Sequence, residues 1–196
     1  MIYDDYDLPY NIQIDGKRYD IRDNCEHRLI LKCIKILNDA DLPEAYKQRT
    51  AFITFYKDYD KITNYAVAIK EMYRIIGGMS KYDYEESKKR PPKNTYSQPL
   101  MNWEKDYKYI APAVSRVLGY DIRTPNKRTH WFSFLGAYME IGGECYFNQL
   151  VLIRAKKQKG KKLEKHEEEF YREHYEDIIL PQTLTAEEEE FLNSDW

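Results

Sequence analysis

The chain has 196 residues, a formal net charge of −2 and 33% charged residues, a length that fits one domain or one domain with an appendage. This balance gives no global attraction to nucleic acid or to an anionic membrane, and no run approaches the roughly 18 apolar residues of a membrane span. The acidic start MIYDDYDLPY lacks the basic and apolar regions of a signal peptide. With three cysteines that cannot all pair, the reading is a reducing cytoplasm with buried free thiols.

Tyr10–Ile21, YNIQIDGKRYDI, predicts a β-hairpin turning at Asp15-Gly16. That turn pairs Ile14 with Lys17, Ile12 with Tyr19 and Tyr10 with Ile21, and puts Tyr10, Ile12, Ile14, Tyr19 and Ile21 on one face. A slip of one residue would scatter this face, so the register is set by the apolar pattern. Asp23-x-x-Glu26 resembles a capping box. It opens a helix with Leu29, Ile30, Cys33, Ile34 and Leu37 inward. Cys25 and Cys33 would lie about 12 Å apart along that helix, too far for a disulfide or a shared metal.

Pro43 suits the start of a second helix, with Tyr46, Phe52, Ile53, Phe55 and Tyr56. A third is expected from about Lys61 to Ile76, where Ile62, Tyr65, Ala66, Ile69, Met72, Tyr73 and Ile76 follow the helical period. Gly77-Gly78 ends it. Met79–Pro99 has no period and holds three of the eight prolines, which reads as an exposed loop. Trp103–Leu118 is a fourth helix with Ile110, Val114, Val117 and Leu118 inward. Pro112 inside it predicts either a kink or two short helices.

In HWFSFLGAYMEIGGECYFNQLVLIR, from His130 to Arg154, Trp131, Phe134, Leu135 and Tyr138 recur at helical spacing, and Gly142-Gly143 stops that helix. Phe147, Leu150, Val151 and Arg154 repeat the spacing, so two helices folded back on each other are expected. Arg154–Lys165 then carries seven Lys or Arg against one Glu, and Glu167–Asp177 six acids against one Arg. Leu163, Phe170, Tyr171, His174 and Ile178 share a helical face that Pro181 ends. Thr185-x-x-Glu188 reads as a capping box for a short last helix.

The four histidines form no HExxH, there is no CxxC, and the paired glycines lack a phosphate-loop context. No catalytic set, metal site or cofactor site is expected. The one candidate binding patch is the basic run, with Lys156, Lys157, Lys159, Lys161 and Lys162. Clustered lysines attract phosphates. The acidic block after the run screens them, and no aromatics are interleaved for base stacking. The run therefore reads as a solvated helix–loop or a contact for an acidic protein, ahead of nucleic acid.

Four segments in order carry a resemblance: the IDGKRYDI hairpin, WEKDYKYIAPAVSRVLGYDI, HWFSFLGAYMEIGGECYFNQLVLIR and KHEEEFYREHYEDIILPQ. The set resembles a family of small proteins of long-tailed bacteriophages and prophages of Gram-positive bacteria, encoded between the major tail protein and the tape-measure protein. The resemblance implies a tail assembly chaperone. Such a protein holds the helical tape measure in the host bacterial cytoplasm while tail subunits polymerise, and is absent from the mature virion. His130, Trp131, Phe134 and Arg154 match family positions and read as fold determinants. Phe132 stands where a second tryptophan is expected.

These readings combine into a mainly α fold, a single domain of about seven to eight helices judged from apolar periodicity, with an N-terminal β-hairpin packed on it. Its parts are the hairpin at 10–21, a first helical layer at 24–77, an exposed linker at 78–100, a second layer at 101–180 and a short helix at 185–196. The expected partners are the tape-measure protein, then the major tail protein and a second copy of the chain, without membrane. The alternatives are a structural tail component retained in the virion and a nucleic-acid-binding regulator using 154–165.

Overall fold

A computed structural model describes residues 7–89 and 99–180. The chain is mainly helical, with an N-terminal hairpin, as the sequence predicts. Strands β1 (Asn11–Ile14) and β2 (Lys17–Asp20) run antiparallel, with Ile12 opposite Tyr19 and Ile14 opposite Lys17. Asp15 and Gly16 have φ of 48° and 78°, the left-handed pair that lets a two-residue turn match the strand twist. Ile12, Ile14, Tyr19 and Ile21 are buried, while Tyr10 is exposed and lies edge-on to the His130 ring. The hairpin is pinned by Tyr19 Oη donating to the Lys61 carbonyl at 3.2 Å and by a bridge between Ile21 and Tyr56.

The expected capping box at Asp23 and Glu26 is replaced by a left-handed turn. Asp23, Asn24 and Cys25 have φ of 51°, 56° and 57°. Asp and Asn tolerate this region because their short side chains bond locally. Arg22 supports the turn from below, donating to the carbonyls of Ile53, Thr54 and Tyr56. Helix α1 (His27–Leu37) therefore starts after Cys25, and the two cysteines do not share a helix.

Pro43 is the residue before α2 (Glu44–Phe55), and Phe52 and Phe55 are buried while Tyr46 is exposed. Helix α3 (Tyr65–Ile76) begins at an Asn64 cap, later than expected. Its buried face is Ala68, Met72 and Ile75. The predicted stripe is rotated, leaving Tyr65 and Tyr73 exposed, because a tyrosine's wet hydroxyl lets it pass for core at the edge of an apolar face. A further helix, α4 (Lys81–Lys88), stands inside the stretch expected to be loop, capped by the Ser80 hydroxyl. Its intrahelical pair Glu85–Lys88 and the Lys70 ammonium over the Tyr84 ring supply what apolar periodicity does not.

Helix α5 (Trp103–Leu118) runs through Pro112 as one element. Pro112 is exposed, and it supplies no N–H to the carbonyl of Lys108 four residues earlier. Ile110 and Val114 point inward, but Val117 is exposed. Helix α6 (Trp131–Met139) packs chiefly on α5, while α7 (Tyr146–Gln158) packs on both α5 and residues 175–178, and α6 meets α7 where the Tyr138 and Phe147 rings lie 5.9 Å apart. Helix α8 (Lys165–Glu173) and the single turn α9 (Tyr175–Ile178) are separated at His174, so His166 and His174 are not on one continuous helix. One core runs from Ile12 to Phe147, and a smaller one joins Leu150, Ile153, Leu163 and Ile178. The helix stop at Pro181 and the helix expected at 185–196 lie outside the described residues.

Candidate functional site

His130, Trp131, Phe134 and Arg154 are all buried. Trp131 is buried, its Nε1 donates to the Ile76 carbonyl at 3.1 Å, and its ring stacks on Phe134 at 5.5 Å. Phe134 in turn stacks on the His27 ring at 4.9 Å. His27 is fully buried; Nδ1 faces two acceptors, the Thr129 carbonyl at 3.3 Å and Glu26 Oε1 at 3.2 Å, so it carries the hydrogen. In the neutral ring Nε2 then accepts from the Tyr107 hydroxyl at 3.1 Å. Burial alone would raise the Glu26 carboxyl, but hydrogen bonds from His27 and Arg28 outweigh it and hold the group below the usual carboxylate range.

His130 caps α6 with its ring: Nδ1 accepts from the Phe132 amide at 3.1 Å and Nε2 donates to the Pro9 carbonyl at 3.2 Å. Burial lowers its pKa, against a smaller upward effect from Pro9. Arg154 is buried and every guanidinium N–H is used. Two go to Asp106, and the others to the carbonyls of Leu100, Asp177 and Ile178. None of these four side chains is exposed.

The basic run divides. Lys156 is ion-paired with Glu167, which also completes the capping box of α8, and Lys157 lies 4.7 Å from the Tyr171 ring centroid. Lys156 and Lys157 thus attach α7 to α8. Lys159, Lys161 and Lys162 are exposed, in the turn between those helices, with Leu163 buried beneath. The surface here is polar and shallow. Among the described residues no group of His, Cys, Asp or Glu is placed to hold a metal ion, and no helix is long and apolar enough to cross a membrane.

A groove of about 760 Å³ lies between α1 and the first turns of α5. Its floor is apolar, from Leu31, Ile34, Trp103 and Tyr107, and its rim is charged, from Arg28, Lys32, Lys35, Glu104 and Arg123. The floor residues are half-buried, so their apolar area is not used up in the core. The rim pairs are exposed: Lys35 meets Glu104 at 2.6 Å and Arg123 meets Asp121 at 2.7 Å. The Arg123 side-chain hydrogen bonds hold Asp121 at about 2. Such surface pairs contribute little and exchange readily. A half-buried apolar floor with a polar rim is the arrangement that receives an amphipathic helix.

A family model described as the bacteriophage Gp15 protein matches residues 5–178. The chain belongs to the Gp15 family of bacteriophage proteins. No curated protein and no solved structure matches it. In this Gp15 protein the matched residues include the hairpin, the left-handed turn, the groove and the Arg154 node.

Sequence reasoning missed the groove and the buried polar pairs. Leu31 and Ile34 sit on α1 beside true core positions, and nothing in the spacing separates half-buried from buried. Asp106 did leave a signal. It lies three residues after Trp103 and four before Ile110, a carboxylate on an apolar face, which asks for a buried cation.

Proposed function

We propose that this Gp15 protein is a tail assembly chaperone that acts by binding, without a catalytic step or cofactor. It holds the tape-measure protein in the host cytoplasm while the tail tube polymerises, and leaves before the virion is complete. The observation that carries this reading is the α1–α5 groove, whose apolar floor of Leu31, Ile34, Trp103 and Tyr107 is framed by exchangeable charge pairs. A tape measure awaiting assembly presents long amphipathic helices that aggregate unless their apolar faces are covered. A shallow groove covers one such face weakly, and many copies along one chain give avidity without a tight single site. Release then needs no energy source, because each contact is weak.

Co-expression with a tape-measure protein from the same phage genome tests the reading. A soluble complex is expected. Ile34→Glu should reduce its yield about tenfold, the effect of losing about 1.4 kcal/mol of binding per site. No complex, and no gain in tape-measure solubility, overturns the proposal. A stoichiometric band of this chain in purified particles would overturn it in favour of a structural tail component.

A further inference from the structure

The basic and acidic blocks that adjoin in the sequence do not neutralise each other in the fold. Lys156 pairs with Glu167 across the boundary, while Arg154 turns inward to Asp106 and Asp177 pairs with Lys108. Lys157, Lys159, Lys161, Lys162 and Lys165 remain on one side, and Glu168, Glu169, Glu173 and Glu176 on the other. All nine are exposed and, among the described residues, none of them is in an ion pair. The rim of the α1–α5 groove differs, because Arg28, Lys35 and Arg123 each already hold a carboxylate.

Helix α8 sets the unpaired charges on two flanks. Lys157, Lys161, Lys162 and Arg172 surround a concavity of about 490 Å³, with Tyr171 at its side and Glu168 as the one carboxylate in its lining. Glu169 and Glu173, four residues apart, share one line along α8. That line is turned by about 100° from the line of Glu168 and Arg172. A basic flank and an acidic flank thus stand side by side on one helix. Tyr175 is 47% exposed and lies edge-on to Tyr171 at 5.6 Å, so aromatic surface adjoins the charges.

We propose that this surface pairs with a second copy of the chain, the basic flank of each α8 lying on the acidic flank of the other. Lys161, Lys162 and Arg172 of one copy face Glu169 and Glu173 of the second, and the reverse contact is made across a two-fold axis. Such a contact closes at two, because each copy offers both halves. A continuous phosphate backbone fits less well, since Glu164, Glu168, Glu169 and Glu173 border the cations and repel it. A foreign acidic protein would use the basic flank and leave the acidic one unmatched, whereas a second copy uses both. Exposed ion pairs are individually weak, so the pairing is reversible and sensitive to salt. It is independent of the chaperone reading, because it involves neither the groove nor the tape measure.

Sedimentation of the full chain, nuclease-treated and without any other protein, tests the pairing. A monomer–dimer equilibrium is expected, with an association constant that falls about tenfold from low to high salt as the charges are screened. Lys161→Glu with Lys162→Glu makes both flanks acidic, and Glu169→Lys with Glu173→Lys makes both basic. Each double variant alone should sediment as a monomer with an unchanged melting temperature, the four side chains being exposed and outside any ion pair among the described residues. Mixed in equal amounts, the two variants should restore the dimer, since both contacts are then complementary. A wild-type monomer at low salt, variants that dimerise as the wild type does, a mixture that stays monomeric, or assembly that grows past the dimer overturns the proposal. Association that is seen only before nuclease treatment overturns it in favour of nucleic acid on the basic flank.

Discussion

Arg154 Nη1 and Nη2 lie 2.8 and 2.9 Å from the two carboxylate oxygens of Asp106, a two-point ion pair closed off from solvent. The same guanidinium fastens the chain before α5 through Leu100 and the end of α9 through Asp177 and Ile178. One residue of α7 thus ties three separate segments together. Removing either partner leaves a buried charge, which costs about 3–5 kcal/mol. Arg154→Met and Asp106→Leu should each destabilise the protein by that amount in urea unfolding. The double variant should recover only the orphan-charge part of the loss, because the carbonyls of Leu100, Asp177 and Ile178 still lose their Arg154 donors. Two additive losses would show that the pair is not the source.

His130 gives the chain a defined response to mild acid. Its ring accepts from Phe132 and donates to Pro9 only when neutral, and burial puts its pKa below the ordinary value of about 6.5. The folded state thus favours the neutral ring. That contribution is fully present above about pH 6.5 and is lost as pH falls through the lower folded value. Glu26 and Asp177 are also depressed, Asp177 to about 2, where Tyr109 leads the causes. Their contributions are present above about pH 4 and are lost only in stronger acid. His130→Asn keeps an N-cap acceptor without the titration. Its melting temperature should fall less than that of the wild type between pH 7 and 5, and parallel curves would refute the assignment.

How much was legible depends on what each signal rests on. The hairpin register and α5 were readable because the Asp15-Gly16 turn and the Ile110–Val114 spacing are local. The left-handed turn was not, because Asp23–Cys25 adopts it for the sake of distant partners. His27 donates its backbone amide to Thr129, and Glu26 bridges to His130. Helix α4 was hidden because its stabilisation is charge pairing and a Ser80 cap rather than an apolar stripe. The groove depends on α1 and α5 meeting across 65 residues of chain between Leu37 and Trp103, and no spacing rule encodes that. His130, Trp131, Phe134 and Arg154 stand out in the sequence only through the resemblance, and their burial and their partners come from the tertiary structure.

Gly78 fixes how α3 approaches α6. Its φ is +66°, and a Cβ there would overlap Leu135 Cδ1. Gly142 has φ +80° but open space around it. Gly142→Ala should therefore cost only the left-handed penalty, about 1–2 kcal/mol. Gly78→Ala should cost that and a further packing loss of about 1 kcal/mol from overfilling. Combining it with Leu135→Ala removes the overlap, so the double variant should be more stable than additivity of the two single losses predicts. Equal losses at Gly78 and Gly142 in urea unfolding would show that Leu135 yields freely.

The three thiols should report the integrity of the core. Cys25 and Cys33 are completely buried, and burial pushes each thiol up to about 12. Cys145, at the start of α7, is half-buried. Reaction requires both thiolate and access. At pH 8 the native protein should therefore show one thiol reacting with an aromatic disulfide reagent within minutes, and three in guanidinium chloride. The two slow thiols should react with the same rate constant, rising with urea, because both become accessible only when the core that contains them opens. Cys25 reacting ahead of Cys33 would instead show that the left-handed turn opens by itself, ahead of α1, and would place the weakest part of the fold next to Trp131 and His27.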